Sequence, residues 1–290
     1  MTKHWKSGFQ AASLATVTLI AAHNAHAQQV SDEVKKAIQA AVQASVADTI
    51  DKTVQLNVVA PTAAPAAAPE AQLVNTFWAR PQFAEFYASF AGVNSHIPVE
   101  IAPVGAIIQV TPDLYGGISA TYAHAGGNFT SDTYGGDGTL TYIFYRNGPT
   151  NFRANADFGI LETSPSIGAS ATGFGLTPSV DFETAAGQFV LTFSPGWAFG
   201  WSDPAPPKEP SETALATVKV TYLGGHWQPQ IATQFSETVY PAVASTVSFT
   251  PEINYVDGPL TVGVGYQYTT NLKAPNFFSH AALVNFRYRF

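Results

Sequence analysis

The chain has 290 residues, of which 46 % are hydrophobic and only 11 % are charged, with a net charge of −7 and no cysteine. Soluble domains usually have a charged fraction of roughly 25 %, so this chain has too few charges to cover a soluble surface of its size. The lack of cysteine excludes structural disulfides, Cys-ligated zinc and thiol nucleophiles. The acidic balance argues against a nucleic-acid partner.

Residues 1–27 have the pattern of a secretory signal peptide. Lys3 and Lys6 give a basic start, residues 8–22 are apolar or small, and the tripeptide Ala-His-Ala ends at Ala27. This matches the small-x-small cleavage pattern. We therefore expect cleavage after Ala27 and export of the mature chain through the periplasm.

Residues 28–58 are predicted to form an N-terminal helical segment, with the helix itself over 31–55. Ser31 can cap this helix, and a stripe of valine and isoleucine recurs every four residues from Val34 to Val54. Two interpretations stay open: a periplasmic helix that could self-associate through the stripe, or a plug inside a barrel. Residues 59–75 are rich in alanine and proline and are expected to form a semi-extended linker.

From residue 76 to the C-terminus, apolar and polar residues alternate with a period of two, which is the pattern of β-strands. Around the middle of this region, Phe152, Phe158 and Ile160 alternate with Arg153 and Asp157. Twelve strands are predicted, at about 76–92, 99–111, 114–126, 134–147, 149–162, 170–184, 186–201, 212–224, 226–238, 243–256, 258–270 and 277–290.

Short turns and longer links largely alternate between these strands. Residues 111–113 and 256–259 are examples of short turns, and 93–98 and 202–211 are examples of longer links. Tight periplasmic turns and longer outer loops are typical of transmembrane barrels. The predicted fold class is therefore all-β: an up-and-down antiparallel transmembrane β-barrel of about 12 strands over 76–290, located in the outer membrane.

Charged residues on the polar face of the strands are predicted to face the lumen of this barrel. They are Arg153, Asp157, Lys219, Glu252, Arg287 and Arg289. Charges inside a barrel pair with one another or meet water, so they could form a structural network or line a pore. Small inward-facing residues such as Gly159, Gly263 and Gly265 predict that space remains in the lumen.

The last strand ends on an aromatic residue at the carboxyl terminus. Val284, Phe286, Tyr288 and Phe290 share one face of this strand. The ending resembles the C-terminal assembly signal of bacterial outer-membrane barrels. The resemblance implies that these four residues engage the barrel assembly machinery and then the outer-membrane lipid.

Residues 76–290 resemble the β-domains of autotransporters. Four segments carry the resemblance: Phe-Trp-Ala-Arg at 77–80, a strand–turn–strand unit at 105–129, Trp-Gln-Pro-Gln at 227–230, and the ending at 285–290. The resemblance implies a twelve-stranded outer-membrane barrel with a helix through its pore, acting as a translocator- or pore-like protein. Because only residues 28–75 separate the predicted signal from the barrel, we expect no large passenger.

Two alternative functions stay open. A surface adhesin or interaction scaffold would use the outer loops, among which residues 202–211 with four prolines stand out. An outer-membrane enzyme would need a site at the rim, where His124 and Asp132 are the candidates. The sequence has no metal-binding histidine spacing, phosphate-binding loop or dinucleotide fingerprint. We therefore expect no catalytic residue, no cofactor and no metal site.

Overall fold

The computed structural model describes residues 75–90, 93–127, 130–166, 170–203, 211–238, 244–272 and 277–290. The predicted signal peptide, N-terminal helix and nearly all of the linker lie outside these residues. Within the described ranges, no helix is long and apolar enough to cross a membrane.

The described residues form thirteen β-strands in one closed sheet. The strands are β1 (Thr76–Ala79), β2 (Gln82–Phe90), β3 (Val93–Gln109), β4 (Leu114–Ala125), β5 (Ser131–Asn147), β6 (Thr150–Pro165), β7 (Ala171–Ala186), β8 (Phe189–Asp203), β9 (Ser211–Tyr222), β10 (Trp227–Thr238), β11 (Ala244–Asp257), β12 (Leu260–Asn271) and β13 (Phe277–Arg289). From β2 onward each strand pairs with the next, and β13 pairs with both β1 and β2, so the sheet closes into a barrel. Every pairing is antiparallel, which confirms the predicted all-β antiparallel barrel.

Strands β1 and β2 are two halves of a single barrel strand. Both pair with β3 on one side and with β13 on the other. The halves are separated at Arg80-Pro81, where the Arg80 amide donates to the Pro103 carbonyl at 3.0 Å and the Pro81 carbonyl accepts from the Val284 amide at 3.0 Å. Proline has no N–H and cannot continue the ladder. The barrel is therefore twelve strands around, as predicted.

One end of the barrel carries the tight connections and both ends of the barrel chain; we call it the tight-turn end. The tight connections are 110–113, 148–149, 187–188, 223–226 and 258–259. Gly148 and Gly258 have φ angles of 55° and 54°, which glycine adopts without a steric penalty and which two-residue hairpin turns require. At the same end, the Phe290 amide donates to the Asn75 carbonyl at 3.0 Å.

The longer link predicted at 93–98 is wrong. Strand β3 already begins at Val93, which pairs with Phe90 of β2, and Pro98 is in register with Glu85. The polar and proline residues of this segment hide its strand character, because local propensity weighs against a strand while pairing with the neighbouring strand decides the structure.

The two faces of the sheet differ sharply in chemistry. The outward face exposes large apolar side chains, including Ile118 at 74 % and Val264 at 57 %. The inward face buries mostly threonine, serine, asparagine and charged residues, such as Asn285 and Arg287. An apolar exterior around a polar interior reverses the arrangement of a soluble protein and suits a barrel surrounded by lipid.

The interior prolines lie where the strand pairing is interrupted. Around Pro178 in β7 and Pro195 in β8, only Ser179 and Gly196 stay in register between the flanking paired stretches. Pro178 keeps its register with β6, and Pro195 keeps its register with β9. Because proline lacks a donor, the closed sheet accommodates each residue by opening the ladder on one side only.

Candidate functional site in the barrel lumen

The predicted lumen residues lie on the inner face of the barrel. Arg153, Asp157, Lys219, Glu252 and Arg287 are buried there. Arg289 is half-buried at the tight-turn end.

One cluster of charges joins β6 and β7. Arg153 Nη2 lies 3.0 Å from Glu183 Oε2 and 3.3 Å from Asp181 Oδ2, and all three side chains are at most 4 % exposed. Thr192 Oγ1 also donates to Glu183 Oε2, at 3.4 Å. Lys219 of β9 is in register with Thr192, which in turn is in register with Glu183. This alignment across β7, β8 and β9 places Lys219, a second basic side chain, on the same side of the lumen as Glu183.

A second cluster brings distant strands together. Arg80, at the break between β1 and β2, forms an ion pair with Glu252 of β11, and the two side chains are 1 % and 3 % exposed. Gln230 Nε2 donates to the other Glu252 carboxylate oxygen at 2.8 Å. The sequence analysis predicted Glu252 but missed Arg80. The signal was present, because Trp78, Arg80 and Gln82 share one parity and all three are buried.

Two lumen glycines of β12 leave room for neighbouring side chains. Gly263 lies in register between Asn254 and Asn285, and Asn285 Nδ2 donates to Asn254 Oδ1 at 2.8 Å across it. A Cβ on Gly265 would lie 2.5 Å from Glu252 Cγ. The side chains of adjacent strands occupy the volume directly beside these two glycines. That space remains along the lumen stays a prediction.

Farther from the tight-turn end, carboxylates line the β5–β6 wall. Thr139 Oγ1 donates to Asp157 Oδ1 at 2.5 Å, and Ser119 Oγ donates to Asp137 Oδ2 at 3.3 Å. Asp137 is in register with Gly159. Its side chain covers the third glycine expected to leave free space.

The two sides of the lumen differ in the charges they carry beside these ion pairs. The side at the β1–β2 break and β13 carries Arg287 and Arg289 in addition to the Arg80–Glu252 pair. The β5–β7 side carries Asp137 and Asp157 in addition to the cluster of Arg153, Asp181 and Glu183. An excess of basic groups on one side and of acidic groups on the other produces an electric field across the lumen.

Toward the other end, one wall of the lumen is apolar. The buried residues that form this apolar wall are Ala84, Ile97, Val99, Ile101, Ala123, Ala125, Leu161 and Ala281, with Phe86 and Phe277 packed against them. The β10–β11 wall is lined there with buried Gln234, Ser236, Ser248 and Thr250. Barrel interiors are normally polar, and this wall departs from that pattern.

The predicted assembly residues share the outward face of β13. Val284, Phe286, Tyr288 and Phe290 are between 37 % and 65 % exposed. Their position suits contact with lipid. Recognition by the assembly machinery stays a prediction.

The rim candidates His124 and Asp132 contact each other outside the barrel. His124 Nδ1 lies 2.9 Å from Asp132 Oδ1, and Tyr122 donates to the same oxygen at 2.9 Å. Asp132 belongs to β5 and not to a loop, because β5 begins at Ser131. Over the described stretches, no group of three or more histidine, aspartate or glutamate side chains could hold a metal ion.

No family model matches this chain, and no curated protein matches it in sequence. Solved structures match it in fold. The translocator domain of the autotransporter NalP from Neisseria meningitidis aligns with a TM-score of 0.61 at 12 % identity, covering 86 % of this chain and 98 % of that domain.

Two further solved structures have similar barrels. The β-domain of the Bordetella autotransporter BrkA aligns with a TM-score of 0.53 at 12 % identity, covering 75 % of this chain and all of that domain. An outer-membrane channel from Pseudomonas putida F1 aligns with a TM-score of 0.52 at 11 % identity, covering 79 % of this chain and all of the channel. The chain therefore has the twelve-stranded fold of autotransporter translocator domains, an outer-membrane β-barrel fold.

Proposed function

We propose that this barrel acts as a translocator- or pore-type outer-membrane protein and that its lumen is the path through which molecules pass. The observation that carries the proposal is the arrangement of its buried charges. Arg80 is paired with Glu252, and Arg153 is paired with Asp181 and Glu183. Arg287 and Asp157 are buried in the same lumen. Buried ion pairs add little stability compared with apolar side chains of similar volume, so a lumen that holds so many charges favours a conduit for polar or charged chains over a purely structural barrel.

We further propose that the N-terminal segment 31–55 rests in the lumen against the apolar wall. The valine–isoleucine stripe of this segment would be buried best on an apolar surface, and the partly exposed Phe86 and Phe277 of the apolar wall provide one inside the barrel. A helix of about 20 residues is about 30 Å long, close to the thickness of the hydrocarbon core. The segment would then control access to the lumen.

Cysteine cross-linking tests the position of the segment. Because the chain has no cysteine of its own, only the two introduced cysteines can form a disulfide. Val42→Cys combined with Val99→Cys should cross-link under mild oxidation in the membrane. The matched control pairs Val42→Cys with Val104→Cys, because Val104 lies on the same strand but faces outward and is 42 % exposed. Cross-linking to position 104, or to neither position, would place the segment outside the lumen.

Single-channel recording tests the pore itself. Deletion of residues 28–72, with the signal peptide kept, should raise conductance strongly while the barrel stays folded. In this deletion background, Arg287→Gln should shift the channel toward cation preference, because it removes a positive charge from the lumen. A silent deletion variant with a folded barrel would contradict the pore proposal.

A further inference from the structure

An aromatic and charged patch lies outside the barrel, far from the tight-turn end. We call it the rim patch and define it as Glu85, Tyr87, His96, Tyr266, Phe278 and His280. These residues lie on β2, β3, β12 and β13. Their chain neighbours Ala84, Ile97 and Ala281 are buried in the lumen, so strand alternation directs the patch outward.

The side chains of the rim patch hold one another in place. The Tyr87 ring stacks on His96 at a centroid distance of 4.9 Å and on Phe278 at 5.0 Å. The Tyr87 hydroxyl donates to Glu85 at 2.6 Å. His280 meets the edge of Tyr87 and hydrogen-bonds to the Tyr266 hydroxyl. The result is a set of ordered rings bordered by hydrogen-bonding groups.

Tight turns of outer-membrane barrels are normally periplasmic, so we infer that the rim patch lies on the outer side, and the length of β13 puts it at the height of the outer-leaflet headgroups. On β13, the outward positions from Phe290 to Ala282 are apolar or aromatic, and His280 follows. Ten residues of strand at about 3.3 Å each, tilted by about 40°, span roughly 25 Å of the apolar band. A carboxylate such as Glu85 is costly in hydrocarbon. It therefore belongs just above the band.

We propose that the rim patch binds the saccharide headgroup of an outer-leaflet glycolipid. The face of an aromatic ring carries partial negative charge, and the C–H face of a sugar packs against it. Glu85 can accept from sugar hydroxyls, and His96 can donate to them. The patch contains no lysine or arginine, and the Glu85 carboxylate repels phosphate, so the sugar is the recognised part. The acyl chains continue onto the apolar band below, around Phe83 and Val264.

Native mass spectrometry of the full chain, in a detergent without a sugar headgroup, tests this binding. The probes are a deep-rough lipopolysaccharide, its dephosphorylated form, and phosphatidylglycerol. Both lipopolysaccharide forms should stay bound, and phosphatidylglycerol should bind about tenfold more weakly or less. Tyr87→Ala should weaken lipopolysaccharide binding about tenfold. Tyr142→Ala should not, because this exposed outward tyrosine lies near the tight-turn end.

His96→Gln provides a second variant, since its side chain is 49 % exposed and its replacement should leave the fold intact. It should also weaken binding of the dephosphorylated form, while heat-modifiable migration on a gel shows a folded barrel. Three outcomes would overturn the proposal: phosphatidylglycerol binding that equals lipopolysaccharide binding, loss of binding on dephosphorylation, or wild-type binding by the folded His96→Gln variant.

Discussion

Arg80 and Glu252 lie 172 residues apart in the chain, yet their side chains form an ion pair inside the barrel. The pair links the interrupted strand position at β1–β2 to β11, passing over the inner face of β13 and β12. Both side chains are almost fully buried. The ion pair therefore stabilises the region where the first and last strands close the sheet.

Removing one member of this pair should destabilise the barrel strongly. Arg80→Gln leaves the Glu252 charge buried without its partner, and such losses cost about 3–5 kcal/mol. Unfolding by urea in detergent, followed by tryptophan fluorescence, measures the free energy of unfolding. Arg146→Gln is the control, because its ion pair with Asp113 is exposed at 3.5 Å and should cost less than about 1 kcal/mol. Equal losses in the free energy of unfolding would show that the buried Arg80–Glu252 pair contributes no more than the exposed pair.

Gly105 should tolerate no side chain. A Cβ there would lie 2.6 Å from the Trp78 ring and 2.7 Å from the Ile118 carbonyl oxygen. Gly105→Ala should therefore lower the free energy of unfolding by about 1–3 kcal/mol through overpacking. Gly116→Ala is the matched control, because its nearest neighbour would be a Val110 methyl at 3.8 Å. A destabilised Gly116→Ala beside an unaffected Gly105→Ala would contradict the packing seen around Trp78.

The interrupted ladder between β7 and β8 should exchange its amide hydrogens quickly. Residues 177–181 and 194–198 contain Pro178 and Pro195, and the pairing between the two strands is interrupted there. Residues 153–158 of β6 are in continuous register with both neighbouring strands and serve as the comparison. Hydrogen exchange followed by mass spectrometry should show faster labelling of the interrupted segments, because local opening there breaks fewer hydrogen bonds. Equal protection of the interrupted and the continuous segments would show that the backbone amides near the prolines have other hydrogen-bond acceptors.

Deleting Phe290 should reduce the amount of protein in the outer membrane several-fold and leave unfolded chain in the periplasm. Phe290 is 65 % exposed on the outward face, so its loss should disturb recognition more than packing. Phe189→Ala is the control, since Phe189 is also exposed, at 54 %, near the tight-turn end. Membrane fractionation and heat-modifiable migration give the measurement. Undiminished insertion after the deletion would remove the terminal residue from the assembly signal.

Strand positions and the two faces could be predicted because a strand repeats every two residues. The alternation of Phe152 and Phe158 with Arg153 and Asp157 is local information and survives folding unchanged. The structure has twelve barrel strands near the predicted positions. The segment 93–98 was missed because its strand character comes from pairing with β2 and not from its own residues.

The contacts inside the lumen could not be predicted, because parity indicates a face but neither a depth nor a partner. The sequence placed Glu252 inward, but only closure of the barrel brings Arg80 to it. The same limit applies to the glycines: Gly263 is small, yet the space beside it depends on Asn254 and Asn285 of the neighbouring strands. The apolar wall of the lumen likewise results from strands that are distant in sequence.

The divided first strand has a consequence for the order of folding. Thr76 pairs with Arg289, so closing the sheet joins segments at opposite ends of the barrel region. Contacts between such distant segments cost the most chain entropy and form late. Because Pro81 separates β1 from β2, the β2–β13 pairing and the β1–β13 pairing can form as separate steps. An uninterrupted first strand would close along one continuous seam, whereas here each of the two stretches has its own set of partners on β13.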